Sequence, residues 1–270
     1  MTAPCPGAGE LALLVEGGLP DGDRARIEAH LDACAACARV LAEVAWLVAP
    51  PRAAPPRYRL VRPLRDGWIA SDRATGDDVF VRFTGAAPPT PLVRDPHLVD
   101  VLAAGEHAGE HFVVTPVIAG LTARAWLETA PARDRVLAMW REAVTGVAAL
   151  HRAGAVHGGI SLDAILIAND RALVDSVGTT SPPYRAVELL HGDPLTARSD
   201  QFALCVVLWE ALAGERPFAG ATIGALAVAM TAPLELPAHD RRLFRALARG
   251  LAPEPARRWP DLAALLRGAT

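Results

Sequence analysis

Residues 150–167 read Leu-His-Arg-Ala-Gly-Ala-Val-His-Gly-Gly-Ile-Ser-Leu-Asp-Ala-Ile-Leu-Ile, and residues 173–178 read Leu-Val-Asp-Ser-Val-Gly. Just upstream, Val136, Leu137, Trp140, Val144, Val147 and Leu150 recur at near-helical spacing. That pattern predicts a helix over Arg133–Ala153 with a wide core face. Ala155–Ala164 then reads as a loop, and Ile165–Ile167 and Ala172–Val174 as two short strands.

The stretch resembles the catalytic centre of the eukaryotic-type serine/threonine protein kinases, L-H-x-x-G-h-x-H-R-D-L-K-x-x-N-I-L-h followed by h-x-D-F-G. The framework is kept at Leu150, His151, Gly154, Val156, His157, Ile165, Leu166, Val174 and Asp175. The acting positions differ. Gly159 stands where the family has its base Asp, Ser161 where it has Lys, and Ala164 where it has the metal-binding Asn.

The resemblance extends from Tyr58 to Leu266. Ser199–Phe218 is similar to the long buried helix of the family's large lobe. Ala252–Pro260 matches its C-terminal arginine signature, with Arg258 at the arginine. Tyr184–Glu188 is similar to the end of the activation segment, with Glu188 at its glutamate. The resemblance implies a buried Glu188–Arg258 ion pair, a core position for His157, and an Asp200 that bonds loop backbone. Asp175–Glu188 would be a short activation segment. Val117–Gly120 would be the hinge between lobes.

Tyr58–Leu64, Trp68–Ser71, Val79–Phe83, Leu98–Ala103 and His111–Pro116 read as five strands of a small lobe. The glycine loop is reduced to Gly67, followed by Trp68, and Gly67 reads as a hairpin-turn glycine rather than a remnant of that loop. Arg82 takes the position of the strand lysine. It keeps the charge, but a planar guanidinium is not a faithful substitute at a tight phosphate site; it also reads as a strand arginine reaching solvent. The family's next helix should follow, but Thr84–Asp95 carries Pro88, Pro89 and Pro91 and no glutamate. Prolines so placed cannot make several helical turns. The strand faces around Phe83, Val99 and Val101 would then be left partly open.

The resemblance therefore implies an α+β, bilobal, kinase-like fold with a small, mainly antiparallel β lobe lacking most of that helix and a large α lobe. Its chemistry is depleted. Losing a general base alone costs about 10²–10⁴ in rate. Asp163, the nearest carboxylate to Gly159, lies where the family has a solvent-facing residue. Arg82 and Asp175 are the residual nucleotide-binding set, and Asp175 has lost its usual co-ligand. Weak or absent binding of ATP and magnesium is expected.

Residues 1–49 form a separate head, set off by a proline-rich linker at 50–57; the kinase-like lobes would be 58–117 and 118–270. Glu10–Glu16 is a short apolar helix, residues 17–22 are turn chemistry, and a second helix is predicted over Asp23–Val48. It places His30, Cys34 and Cys37 at i, i+4 and i+7 on one face, and Cys5 could join them if the hairpin folds back. Such a set suits structural zinc. Cys34 and Cys37 could also be buried core residues or a redox dithiol. The pattern L-P-x-x-x-x-x-x-x-x-x-H-L-x-x-C-x-x-C resembles the zinc-binding anti-sigma domain of bacteria, which usually has His where Cys5 stands. Cys205 reads as core.

The chain of 270 residues is 51% apolar with a net charge of -3, and it contains no lysine. A lysine-dependent mechanism is excluded, and no basic run points to nucleic acid or an anionic membrane. No apolar run reaches the ~18 residues of a spanning helix, and no signal peptide is evident. A cytoplasmic protein is expected. The function expected is a catalytically impaired, kinase-like regulatory scaffold, with the zinc head and small lobe binding a sigma factor or a protein kinase. The alternative is a divergent but active ATP-dependent serine/threonine kinase.

Overall fold

The computed structural model of the protein describes residues 5–16, 18–34, 37, 41, 54–64, 67–84, 93–175, 181–220 and 222–269. Residues 50–53 of the proline-rich linker, the stretch 85–92 where the small-lobe helix was expected to be lost, and 176–180 of the activation-type segment lie outside the described residues. The chain separates into two compact units, Met1–Phe83 with His107–Glu110, and Thr84–Glu106 with His111–Thr270.

In the first unit, α1 (Ala8–Glu16) and α2 (Asp21–Ala33) form a hairpin. Among the described side chains of the two helices, Leu11 and Ile27 are buried. The sequence predicts one helix continuing to Val48, and here the structure differs. The backbone turns extended at Cys34, with φ -127° and ψ 95°, and Cys37 is helical again. An unbroken helix would separate positions 30 and 37 by about 10 Å along its axis, too far for one ion, so the break is what lets them converge.

β1 (Tyr58–Leu64), β2 (Gly67–Asp72) and β3 (Asp78–Thr84) follow as an antiparallel meander. β1 shifts register between Leu60 and Arg62 and carries Pro63 opposite Trp68; a proline is tolerated there because β1 is an edge strand. The β2–β3 turn is closed by Asp72. Its carboxylate accepts from Ala74 N–H at 2.9 Å and receives the Arg57 fork at 2.6–3.0 Å. The arginine holds this carboxyl below its ordinary value.

In the second unit, β4 (Ala103–His107) and β5 (Glu110–Pro116) are adjacent strands. The fourth strand was expected over Leu98–Ala103. Instead Leu98 makes an isolated parallel bridge to Val174, and Val99 N–H donates to Val174 O at 2.9 Å. Val99 is accordingly buried rather than open, and Leu102 is the exposed large apolar residue of that run.

β6 (Leu121–Thr122) leads into α3 (Ala123–Leu127) and α4 (Arg133–Arg152), then β7 (Ile165–Ala168) and β8 (Arg171–Val174). β6, β7 and β8 make a three-stranded antiparallel sheet. The remaining helices are α5 (Val187–Leu190), α6 (Ala197–Ala213), α7 (Ile223–Thr231), α8 (Arg241–Gly250) and α9 (Leu262–Ala269).

The core of this unit is built from α4, α6, α8 and α9. α6 is apolar almost all round and buries Phe202 through Trp209, as a helix enclosed on every side must. Trp140 of α4 donates its indole N–H to Leu204 O at 2.8 Å, so the polar end of that side chain is satisfied inside the core. Among the described residues no helix is long and apolar enough to cross a membrane.

Candidate metal centre and catalytic-type loop

The hairpin brings Cys5, His30, Cys34 and Cys37 together, with one ligand atom of each lying within 4.8 Å of all the others. Tetrahedral zinc with thiolate bonds near 2.3 Å needs sulfur–sulfur separations of about 3.8 Å, so the cluster is within reach of that geometry. Two further observations support the fit. The Nε2 of His30 is buried and has no hydrogen-bond partner. Burial, then the Cys5 and Cys34 thiols beside it, push the Cys37 thiol up to about 12. A cation could be held by all four groups, the three sulfurs and the imidazole nitrogen that has no hydrogen-bond partner. A closed set of three sulfurs and one nitrogen suits structural zinc.

Two residues that spacing did not single out link the backbone at Gly7 to α2. Glu10 Oε2 accepts from Gly7 N–H at 2.9 Å, and Glu10 Oε1 accepts from Arg26 Nη2 at 2.6 Å. The Gly7–Glu10 spacing is that of a capping-box glutamate, which is the signal that could have drawn attention to it.

In the second unit the catalytic-type loop is held by Asp200, at the start of α6. Its Oδ2 accepts from His157 N–H and lies against His151 Nε2, both at 2.8 Å, and its Oδ1 accepts from Gly158 N–H at 2.8 Å. Gly158 has φ 75°, and a Cβ there would collide with Leu195, so the chain turns at this point only with glycine. Gly159 N–H donates to His157 Nδ1 at 3.1 Å. His157 is buried and its Nε2 lies against Asp175 O.

Ser161 is buried and accepts from Ala164 N–H at 3.2 Å, so its hydroxyl folds the loop. Ala164 presents a buried methyl group and no ligand atom. Asp163 is held by Arg124 Nε at 2.9 Å. The same guanidinium reaches Glu210 at 3.1 Å and Tyr184 Oη at 2.7 Å, while Tyr184 donates to Glu210 at 2.5 Å. Burial, then the Glu210 hydrogen bond, raise the Tyr184 phenol above its ordinary value. Nothing in sequence spacing foretells this cluster, whose members come from four separated elements.

Glu188 and Arg258 meet as a buried fork, Nη1 to Oε1 and Nη2 to Oε2, each 2.7 Å. The remaining donors of Arg258 go to the carbonyls of Ala252, Arg198 and Pro253 at 2.8–3.1 Å.

In the first unit, Arg82 is buried with its guanidinium 5.3 Å from the Phe80 ring centre. The Phe80 ring also closes over Gly67, where an added Cβ would clash with it and with Val81 O. Gly67 is therefore a packing glycine.

Residues 10–38 match the family described as "Putative zinc-finger". Serine/threonine-protein kinase PknD of Mycobacterium tuberculosis is 31% identical over 222 residues, covering 71% of this chain and 33% of that protein. The probable serine/threonine-protein kinase pknA2 of Bifidobacterium longum is 28% identical over 206 residues, covering 60% of this chain and 27% of that protein. The chain thus spans about a third or less of the length of these relatives. The crystal structure of the Mycobacterium tuberculosis PknI kinase domain superposes with a TM-score of 0.61 at 20% identity, covering 80% of this chain and 98% of that one. The chain carries a domain of the protein-kinase fold, related in sequence to bacterial serine/threonine protein kinases, together with a segment that matches a zinc-finger family.

Proposed function

We propose that this protein is a catalytically impaired, kinase-fold regulatory scaffold whose head, residues 1–49, is built on zinc held by Cys5, His30, Cys34 and Cys37. The linker 50–57 joins it to the kinase-like lobes, 58–117 and 118–270. The observation that carries the reading is the saturation of the catalytic-type loop. Gly159 has no side chain to accept a proton. The two neighbouring carboxylates are engaged, Asp163 by Arg124 and Asp200 by three donors. A general base must reach the proton that it abstracts, and neither of these is placed to stand in. Ala164 and Ser161 supply neither a metal ligand nor a cation, and the chain has no lysine.

The head's role is structural: zinc lowers the free energy of the folded hairpin because no such site exists in the unfolded chain. The head and small lobe together offer a surface for a protein partner, a sigma factor or an active protein kinase, in the cytoplasm. The names of the relatives favour a second reading, an active serine/threonine kinase. A phosphotransfer assay with labelled ATP, magnesium and a generic substrate separates the two, run beside capture of the full chain against purified sigma factors and kinases of its host. The scaffold reading expects no transfer above background and a specific complex. Transfer lost on Asp175→Ala, with no complex formed, would establish the enzyme instead.

A further inference from the structure

We infer that Glu10 and Arg26 form a positioning pair that fixes Cys5 as the fourth ligand of the metal centre, an inference that rests on the zinc reading above. His30 belongs to α2, and Cys34 and Cys37 follow within seven residues of it, so one short piece of chain presents all three. Cys5 is different. It is exposed, precedes α1, and reaches the cluster from the other side of the hairpin. A residue ahead of a first helix frays unless something ties it down.

The tie is visible. Glu10 N–H and Leu11 N–H close the first turn of α1 on Gly7 O at 3.0 and 3.1 Å. The Glu10 carboxylate then holds Gly7 N–H with one oxygen and Arg26 with the other. Arg26 stands one turn before His30 on the same face of α2. A single carboxylate therefore links the backbone two residues from Cys5 to the helix that carries the nitrogen ligand. The buried Pro6 fills the step between. The pair is roughly two-fifths exposed on each side, so its contribution to overall stability is small. Its effect falls on where one sulfur sits. A tie of this strength, acting in the metal-bound state, changes affinity by up to about fivefold.

The test uses the full chain with zinc and with cobalt as a spectroscopic substitute, because thiolate-to-cobalt charge transfer reports how many sulfurs are bound. The wild-type chain should show a three-thiolate spectrum. Glu10→Ala and Arg26→Ala should each shift it toward the two-thiolate spectrum of Cys5→Ser. Each should weaken zinc by up to about fivefold in competition with a chromogenic chelator, and the double variant should fall no further than Glu10→Ala alone. Arg26→Lys, which can still reach the carboxylate, should restore most of the three-thiolate signal. Unchanged spectra and affinity in Glu10→Ala and Arg26→Ala would overturn the inference while leaving the zinc reading intact. A wild-type chain that takes up neither metal would overturn both.

Discussion

At the N-terminal cluster, a buried imidazole nitrogen has no partner and three thiols crowd against it. In the catalytic-type loop, Asp200 receives three donors, Asp163 is taken by Arg124, and the Ser161 hydroxyl is used on Ala164. Leaving a buried polar group unpaired costs about 1–3 kcal/mol. A folded chain bears that cost where a ligand will later remove it. The first region offers a donor set that suits a metal ion, and the described carboxylates of the second are engaged by protein donors. The resemblance to a known family is present in both regions, yet the first gathers potential metal ligands at one point and the carboxylates named in the second are engaged by the protein itself.

The largest effect is expected from breaking the first region. Replacing both Cys34 and Cys37 with serine should abolish zinc binding, and stripping the metal from the wild-type chain should unfold the head, since structural zinc in small fingers is worth about 10–16 kcal/mol. Elemental analysis and hydrogen exchange over residues 5–41 would record the two outcomes. Zinc retained by the double variant would remove the contrast with the loop.

The closed network of the second unit is sharpened at Glu188. Removing this carboxylate with Glu188→Ala leaves Arg258 buried, with carbonyl oxygens as its remaining hydrogen-bond acceptors. A loss of about 3–5 kcal/mol is expected, read as a lower denaturant midpoint at unchanged slope. A change below 1 kcal/mol would mean that the saturation seen here carries little energy.

The smallest effect concerns Asp72, a closed carboxylate outside the loop. Its folded pKa is depressed by Arg57. Its stabilisation is therefore fully present above the ordinary Asp value, near 4, and is lost as pH falls through the folded value. Asp72→Asn should flatten the acid limb of a stability–pH curve between those points. An unaltered limb would assign the acid sensitivity to other carboxylates.

The kinase fold was legible because its markers are framework residues: the apolar spacing of α4, the buried run of α6, and the arginine block at 252–260. Such residues write their role into local pattern. His30, Cys34 and Cys37 were legible for the same reason, although the turn at Cys34 that makes them converge was not; three small residues near a helix end carry no strong stop signal. Position 98 was misread as the start of a strand because the apolar run from Leu98 suits a strand, whereas its partner, Val174, is a distant residue. The Arg124–Tyr184–Glu210 cluster and the stacking of Phe80 over Gly67 depend on tertiary proximity alone.

One measurement reaches both regions at once. The full chain, purified without added metal and mixed with magnesium and ATP, would be weighed intact by native mass spectrometry. The account predicts one zinc per chain and no bound nucleotide. A metal-free chain, or an ATP adduct that disappears in Asp175→Ala, would contradict it.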